Sequence, residues 1–210
     1  MGKLYDPAIA PTPRPNLTRY PLAPRELRWE VLDQRPVIAW LTGLPGAGKS
    51  TIAAAADRVL IASSRHSAVL DGDNLRHGLN ADLAFTPRDR SENVRRVAEV
   101  ARLMAETGTV VIVSLISPLQ SDRDLARRVA GDIPFLEVFI DTPASICARR
   151  DPKGLYARAG RGEITAFTGV SAPYEEPGAP DLLLHTEGLA VAHSVAPLCE
   201  ALLRLSAADV

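Results

Sequence analysis

The segment with the clearest chemical meaning is residues 43–50, which fits the pattern G-x-x-x-x-G-K-[ST] and is followed by Thr51. An apolar run precedes it, so the segment joins a predicted strand to a predicted helix. The N–H groups of such a loop surround a polyphosphate, and the positive end of the helix dipole favours the anion. Lys49 is placed to reach the outer phosphates, and the Ser50 hydroxyl to reach a magnesium ion. We therefore predict that the chain binds ATP or GTP. The predicted nucleotide-binding residues are Gly43, Leu44, Pro45, Gly46, Ala47, Gly48, Lys49, Ser50 and Thr51.

Acidic residues that could order the metal follow two predicted strands. One of these strands ends in Asp141, and the other is followed by a pair, Asp71 and Asp73, separated by one glycine. We favour the pair, because both carboxylates can face the phosphates, one ordering the water shell of the metal and one accepting a proton. A simple Asp-Gly turn would account for Asp71 but not for Asp73.

A predicted helix after Pro87 indicates where a second substrate could lie. At 100° per residue, its apolar stripe consists of Val94, Val97, Ala101 and Met104. Continued towards the start of the helix, the stripe reaches two polar residues, Arg90 and Asn93. The stripe must there border a polar cleft, where a guanidinium suits a phosphate or sulfate group. In an alternative interpretation, Arg90 caps the end of a neighbouring strand.

Short apolar runs alternate with helical patterns from residue 35 onward, which indicates an α/β fold. The predicted strands are residues 37–42, 68–71, 109–115, 135–141 and 181–185. The predicted helices are residues 50–62, 88–107, 120–130, 143–150 and 189–205. We expect a five-stranded parallel sheet with helices on both faces, in three layers, to position the phosphate loop.

The beginning of the chain differs from the rest. Six prolines fall within residues 7–24, which excludes a regular helix or a central strand there. We interpret residues 1–35 as a proline-rich arm, with a short helix in residues 24–33, and residues 36–205 as the domain that carries the phosphate loop.

Composition sets the remaining limits. The net charge of -1 argues against broad binding of nucleic acid or of a membrane surface. Cys147 and Cys199 match no metal or redox spacing and are interpreted as apolar residues in a reducing compartment. The sequence lacks an apolar run approaching the ~18 residues of a membrane span. We therefore predict a cytoplasmic protein without nucleic-acid or membrane partners.

Several sequence blocks resemble those of the adenylylsulfate kinase family. They are residues 40–44, 71–80, 89–96, 116–118, 151–156, 167–169 and 173–175. The Asp-Gly-Asp-Asn block, followed by Ile-Ser-Pro and Lys-Gly-Leu-Tyr, is highly specific, and the resemblance spans about residues 36–203. It implies a P-loop NTPase fold with a mobile lid near residues 151–170. It also implies transfer of the γ-phosphate of ATP to the 3′-hydroxyl of adenosine 5′-phosphosulfate in sulfate activation, with Mg²⁺ as cofactor.

The resemblance also implies roles for individual residues. The implied catalytic residues are Lys49, Asp71, Asp73 and Ser117, and the implied metal-binding residues are Ser50 and Asp73. Asp73 matches a general base or a water-mediated metal contact. Ser117 matches a serine described as a phosphoserine intermediate, although direct in-line transfer needs no covalent step.

On the acceptor side, the resemblance implies a clamp for the acceptor nucleotide. The implied acceptor-binding residues are Arg76, Phe85, Arg90, Asn93, Ile116, Lys153, Leu155 and Phe167. Phe85 and Phe167 would stack on the two faces of the adenine. Lys153 and Leu155 would lie over the acceptor as part of the lid.

The sequence departs from the family pattern in places, and other functions stay open. Gln120 stands where Arg is frequent, and the lid carries fewer cations, so we expect altered substrate affinity rather than lost activity. A kinase of this fold acting on another alcohol is an alternative, although an aromatic pair suits a planar base. A nucleotide switch would need an element such as Asn-Lys-x-Asp, which the sequence lacks. The resemblance suggests a homodimer, and we expect any ATP sulfurylase partner to be a separate chain.

Overall fold

Five parallel strands form the central sheet of the computed structural model, which describes residue 20 and residues 22–208. The strands are β1 (Val37–Thr42), β2 (Ser67–Asp71), β3 (Val110–Ser114), β4 (Phe135–Asp141) and β5 (Leu182–His185). Their order across the sheet is β2-β3-β1-β4-β5, and every neighbouring pair is parallel. The predicted parallel sheet is confirmed, and each strand boundary lies within about one residue of its predicted position.

Helices cover both faces of this sheet. They are α1 (Glu26–Leu32), α2 (Lys49–Ala62), α3 (Gly72–Leu75), α4 (Pro87–Glu106), α5 (Gln120–Ala130), α6 (Ala144–Arg150), α7 (Leu155–Gly160) and α8 (Val191–Leu205). One apolar core lies between the sheet and helices α2 and α8, and the other lies between the sheet and helices α4 and α5. The predicted three-layer architecture is therefore confirmed.

The central strand β1 explains why its sequence is an unbroken apolar run. Val37, Ala39 and Leu41 pack in the core beneath α2 and α8. Ile38 and Trp40 pack in the opposite core, beneath α4 and α5. A parallel strand that is covered on both faces requires apolar residues at every position. The same strand delivers the phosphate loop at its carboxyl end.

Two short helices were not predicted. Helix α3 is one turn long and follows β2 directly; the carboxylate of Asp71 accepts hydrogen bonds from the N–H groups of Asp73 and Asn74 at 3.1 and 3.4 Å. Helix α7 lies within the predicted lid. Both are too short to show the helical periodicity on which the prediction depended. Helix α8 begins at Val191, two residues later than predicted.

The helix predicted in residues 24–33 is present as α1. It is attached to the domain by Trp29, whose Nε1 donates to Glu106 O at 3.2 Å, and by an ion pair between Arg25 and Asp132. Residues 1–19 and 21, which make up most of the predicted arm, lie outside the described residues. Within the described part of the chain, none of the helices combines the length and apolarity that a membrane crossing requires.

Candidate active site

The phosphate loop connects β1 to α2 and leaves the first turn of α2 without a side-chain cap. Gly48 is the N-cap of α2, with a φ of 107°. Gly43 has a φ of 148°, and a Cβ there would lie 2.7 Å from Ile140 O, so only glycine fits. The first N–H groups of α2 lack intrahelical partners, and the helix dipole adds partial positive charge. The loop is therefore a site for an anion.

Lys49 is buried at the start of α2, where the loop itself holds its ammonium group. Nζ donates to Gly43 O and to Leu44 O, both at 2.8 Å. Burial lowers the pKa of Lys49 to about 8, whereas the nearby Cys147 and Asp71 act in the opposite direction. An anionic phosphate beside Nζ would favour the charged ammonium form.

Side-chain oxygen atoms of three residues lie close together where β2 and β3 end. Ser50 Oγ donates to Asp71 Oδ2 at 2.6 Å and lies 3.3 Å from Ser114 Oγ. Asp71 and Ser114 are paired residues of the two neighbouring strands. The predicted metal-binding residues were Ser50 and Asp73. In the structure, Ser50 contacts Asp71 directly. The reason is the sheet: Asp71 is the last residue of β2, whereas Asp73 lies beyond it in α3.

Asp73 contacts the predicted lid. Its carboxylate forms an ion pair with Lys153, and both side chains are more than half exposed. Lys153 lies just before α7, so this ion pair joins the lid to α3. The structure thus brings together two predicted site residues, one implied as base and one as acceptor contact.

Ser117 is buried, and its environment is that of a structural residue. Ser117 is only 3 % exposed, and its backbone φ angle is 37°. Its Oγ accepts a hydrogen bond from Trp40 Nε1 at 3.1 Å, and its carbonyl oxygen accepts one from Arg123 at 2.9 Å. A covalent phosphoryl carrier must be reached by the phosphate donor, and this hydroxyl is enclosed. The catalytic role implied for Ser117 stays a prediction.

Two arginines surround Phe85. Arg76 donates to Leu83 O and Ala84 O, and its guanidinium lies 4.2 Å from the centroid of the Phe85 ring. The guanidinium of Arg90 lies 5.9 Å from the same centroid. Burial lowers the pKa of both arginines, and the charge of Arg76 lowers that of Arg90 further. Such a pair favours an anion nearby.

Arg90 joins the two predicted aromatic segments. Its side chain donates to Phe85 O at 2.9 Å, to Thr168 Oγ1 at 2.9 Å and to Ala166 O at 2.7 Å. None of these residues belongs to β1–β5. The alternative in which Arg90 caps a strand end is therefore wrong, because its partners lie outside the five strands.

The two predicted stacking rings have different environments. Phe85 is 62 % exposed, whereas Phe167 is buried. The Phe167 ring packs edge to face on Tyr156, with a centroid distance of 4.9 Å. Tyr156 in turn donates from its hydroxyl to Pro45 O in the phosphate loop at 3.0 Å. Tyr156 is thus a link between lid and loop that the sequence argument missed, although it lies within a quoted block. Stacking of both rings on one base stays a prediction.

The remaining predicted acceptor residues lie in three different local environments. Ile116 is half-buried, and its carbonyl oxygen accepts from Thr42 Oγ1 at 2.7 Å. Leu155 is half-buried at the first position of α7. Asn93 is buried in α4 and accepts a hydrogen bond from Asn80 at 3.0 Å.

A buried polar cluster behind the phosphate loop was not predicted. The carbonyl oxygen of Ala47 accepts from Thr142 Oγ1 at 3.1 Å and from Thr186 Oγ1 at 3.2 Å. Arg150 donates to the same oxygen at 3.3 Å and to Thr186 O at 2.8 Å. Thr142 directly follows β4, and Thr186 directly follows β5. A threonine after each of two predicted strands was therefore the sequence feature that could have indicated this cluster.

Arg123 is a second residue that sequence reasoning missed. It is 1 % exposed and donates to Glu137 Oε1 at 2.7 Å. It also donates to Gln120 Oε1 and to Glu175 O, at 2.6 and 2.8 Å. Gln120, noted in the sequence as a departure from the family pattern, therefore has a partner inside the fold. Arg123 fixes the loop that follows β3 against the segment around Glu175.

A glycine-rich loop joins a central parallel strand to an open helix start, and a buried lysine and two carboxylates lie beside it. These features define a P-loop nucleotide-binding protein. The family profile described as Adenylylsulphate kinase matches residues 35–185. The chain belongs to the adenylylsulphate kinase family.

Known proteins of similar sequence agree with this family. The chain is 48% identical over 178 residues to the adenylyl-sulfate kinase of Aeromonas hydrophila, covering 85% of this chain and 90% of that protein. It is 58% identical over 164 residues to the bifunctional enzyme NodQ of Rhizobium sp. strain N33, covering 78% of this chain. The matched part spans about a quarter of the length of that bifunctional relative, 25%.

A solved structure has the same fold. It is the Mycobacterium tuberculosis APS kinase CysC in complex with AMPPNP and APS, with a TM-score of 0.78 and 50% sequence identity. The match covers 81% of this chain and 98% of that one. The structural similarity therefore extends over most of the chain.

Proposed function

We propose that this chain transfers the γ-phosphate of ATP to the 3′-hydroxyl of adenosine 5′-phosphosulfate, giving 3′-phosphoadenylyl sulfate and ADP. The observation that carries the proposal is the meeting of phosphate loop and lid around one pair of carboxylates. Ser50 of the loop contacts Asp71, and Lys153 of the lid contacts Asp73. A phosphate donor on the loop and an acceptor under the lid would therefore meet at this pair.

The donor side supports a nucleoside triphosphate. The uncapped start of α2 supplies N–H groups, and Lys49 supplies a buried positive charge. When phosphate oxygens replace Gly43 O and Leu44 O as partners of Nζ, the ammonium is placed to stabilise negative charge on the transferring group. The M. tuberculosis relative is described with the ATP analogue AMPPNP, and we extend that binding mode to this chain.

The acceptor side supports an anionic purine nucleotide. Arg76 and Arg90 lie on the same ring, Phe85, and Lys153 adds a third cation. Phe85 is exposed and offers a face for stacking, which suits a planar base and not a sugar acid. Together these groups match a ligand that carries both an aromatic base and a phosphate or sulfate.

Transfer is direct in this mechanism. A lone pair of the acceptor O3′ attacks the γ-phosphorus, the bond to the β–γ bridging oxygen breaks, and ADP leaves with that electron pair. Asp73 accepts the O3′ proton once Lys153 has moved from the carboxylate to the acceptor. Ser117 holds the loop after β3 and takes no phosphoryl group.

The residues present fit a hard cation. Ser50 Oγ and the Asp71 carboxylate are 2.6 Å apart, and Ser114 adds a third oxygen. We propose that Ser50, with Asp71 and Asp73, would hold Mg²⁺ at this site. Bound Mg²⁺ would neutralise charge on the β- and γ-phosphate oxygens. The homodimer, a separate ATP sulfurylase partner and a cytoplasmic location stay predictions.

The deciding experiment is a coupled assay for ADP release from ATP. Adenosine 5′-phosphosulfate is compared with AMP, adenosine and gluconate at equal concentrations. We expect adenosine 5′-phosphosulfate to give the highest kcat/KM, with the product identified by mass spectrometry. A higher kcat/KM for gluconate, or for any acceptor without a purine, would contradict the proposal and favour a kinase for another alcohol.

A further inference from the structure

Two buried amides connect the loop after α3 to the first turns of α4. Asn80 is fully buried and Asn93 is 5 % exposed. Asn80 Nδ2 donates to Asn93 Oδ1 at 3.0 Å. The two residues are 13 positions apart in the chain. Neither loop nor helix alone therefore brings this pair together.

The backbone of Asn80 is also fixed, which makes its side chain a firm support. Its N–H donates to Leu75 O at 2.9 Å, and its carbonyl oxygen accepts from the N–H of Leu83 at 3.1 Å. The same loop supplies the carbonyl groups that hold Arg76. Asn80 thus belongs to the part of the fold that builds the acceptor side, without being reachable by a ligand.

The hydrogen bond between the amides decides which end of the Asn93 side chain is available. Oδ1 of Asn93 is occupied by Asn80. Nδ2 of Asn93 has no hydrogen-bond partner among the described residues, and it is not one of their fully enclosed unpartnered atoms. The small exposed part of Asn93 therefore includes an N–H donor group. Arg90, about one turn earlier in α4, contacts Thr168 and Ala166.

The opposite arrangement is less favourable. Asn80 Oδ1 is enclosed and has no partner among the described residues. If both amides were reversed, the enclosed unpartnered group would be the NH₂ of Asn80, and unpaired buried N–H groups are rarer in proteins than under-satisfied carbonyl oxygens. Leaving a buried donor unpaired costs free energy that a less buried amide avoids. Burial of Asn80 thus fixes the direction of Asn93.

We propose that Asn80 is a positioning residue that turns the Asn93 amide so that its Nδ2 donates to an oxygen atom of the acceptor substrate. The inference rests on the proposed function for the identity of that substrate. An amide that is enclosed with an unpaired oxygen contributes little to stability. The effect of Asn80 is to direct the Asn93 Nδ2 group towards an oxygen-rich ligand such as a phosphosulfate or a ribose.

The test is a double-mutant cycle on Asn80 and Asn93. Asn80→Ala, its apolar analogue Asn80→Leu, Asn93→Ala and the double alanine variant are compared with the unmodified chain. The KM for each substrate and the thermal midpoint are measured. We expect Asn80→Ala and Asn80→Leu to raise the acceptor KM about five- to tenfold while the KM for ATP stays within about twofold. The double variant should bind the acceptor no worse than Asn93→Ala alone.

Asp82→Ala is the matched control. Asp82 is exposed and pairs with Arg96, so it ties the same loop to the same helix without touching Asn93. We expect this variant to keep the acceptor KM within about twofold. An equal rise in Asp82→Ala would show that general loosening of the loop is responsible, and would overturn the proposal.

Three other outcomes would also overturn it. They are additive effects in the double variant, parallel rises in the KM for both substrates, and a lower thermal midpoint with an unchanged acceptor KM. If the assay above identifies a different preferred acceptor, the cycle is measured with that compound. The proposed function would then be wrong, but the same cycle would still test whether Asn80 and Asn93 act together in binding that acceptor.

Discussion

The donor side and the acceptor side of this site are held by different kinds of contact. Behind the phosphate loop, the carbonyl oxygen of Ala47 accepts hydrogen bonds from the buried Thr142 and Thr186. On the acceptor side, Lys153 and Asp73 form an ion pair with side chains 56% and 61% exposed. The contacts behind the loop are enclosed and end on a main-chain atom, whereas this contact of the lid joins two exposed charged side chains.

The difference has a physical consequence. Breaking one buried hydrogen bond leaves an unpaired group without water and costs about 1–3 kcal/mol. An exposed ion pair contributes about 0–1 kcal/mol and exchanges partners easily. We therefore expect the donor side to be preformed and the acceptor side to rearrange when substrate binds. Variants on the two sides should differ in which kinetic constant they change.

The largest effect is expected from the buried lysine. Lys49→Ala should lower kcat by about a thousandfold or more, because it removes a buried charge that stabilises the transferring phosphate. Circular dichroism should show an intact fold. Lys153→Ala, at the exposed lysine of the lid, serves as the comparison and should act mainly on the acceptor KM. Near-normal turnover of Lys49→Ala would contradict both the mechanism and the contrast between the two sides.

The next largest effect concerns the two carboxylates. Asp73→Asn should lower kcat by about a hundredfold to ten-thousandfold with little change in the KM for ATP, because it removes the proton acceptor. Asp71→Asn should instead raise the Mg²⁺ concentration needed for half-maximal rate, since Asp71 is the partner of Ser50. Steady-state kinetics with varied Mg²⁺ separate the two. An unchanged kcat in Asp73→Asn would transfer the role of base to Asp71 or Asp141.

The aromatic pair gives intermediate effects and separates binding from stability. Phe85→Ala and Phe167→Ala should each weaken acceptor binding about tenfold to a hundredfold, if each ring stacks on the base. Only Phe167→Ala should also lower stability, by about 3–5 kcal/mol, because Phe167 is buried against Tyr156 and Phe85 is exposed. Calorimetric titration and thermal unfolding measure the two quantities. Wild-type acceptor affinity in both variants would refute the clamp.

The smallest effect is a pH dependence that arises from Lys49. Its pKa in the folded protein is lowered to about 8, below the ordinary value of 10.5. The unfolded chain therefore binds more protons between these values, so this group makes stability rise as pH increases through that window. ATP favours the ammonium form, so its affinity should fall by up to about tenfold per pH unit above pH 8.

Calorimetry in buffers of different ionisation enthalpy measures the corresponding proton uptake. Near pH 8.5, ATP binding to the unmodified chain should be accompanied by net uptake of protons. In the Lys49→Arg variant the arginine stays charged throughout this range, so ATP binding should cause no proton uptake at this position. Equal proton uptake by the two proteins would mean that Lys49 is not the titrating group.

Much of the donor side was predictable because it is contiguous in the chain. The phosphate loop, the strand before it and the helix after it form one uninterrupted segment, and apolar periodicity located the other strands. The family resemblance correctly identified the fold and the family. The polar start of α4 at Arg90 and Asn93 also followed from the position of its apolar stripe.

What the sequence by itself determined was therefore the local pattern: strand, loop and helix at residues 37–62, and an aspartate pair after the next strand. Only the tertiary structure decided that Asp71 faces Ser50 while Asp73 faces Lys153, and that Asn80 supports Asn93. These contacts join elements far apart in the chain. Their geometry depends on how the layers pack across the sheet, and no local pattern encodes that.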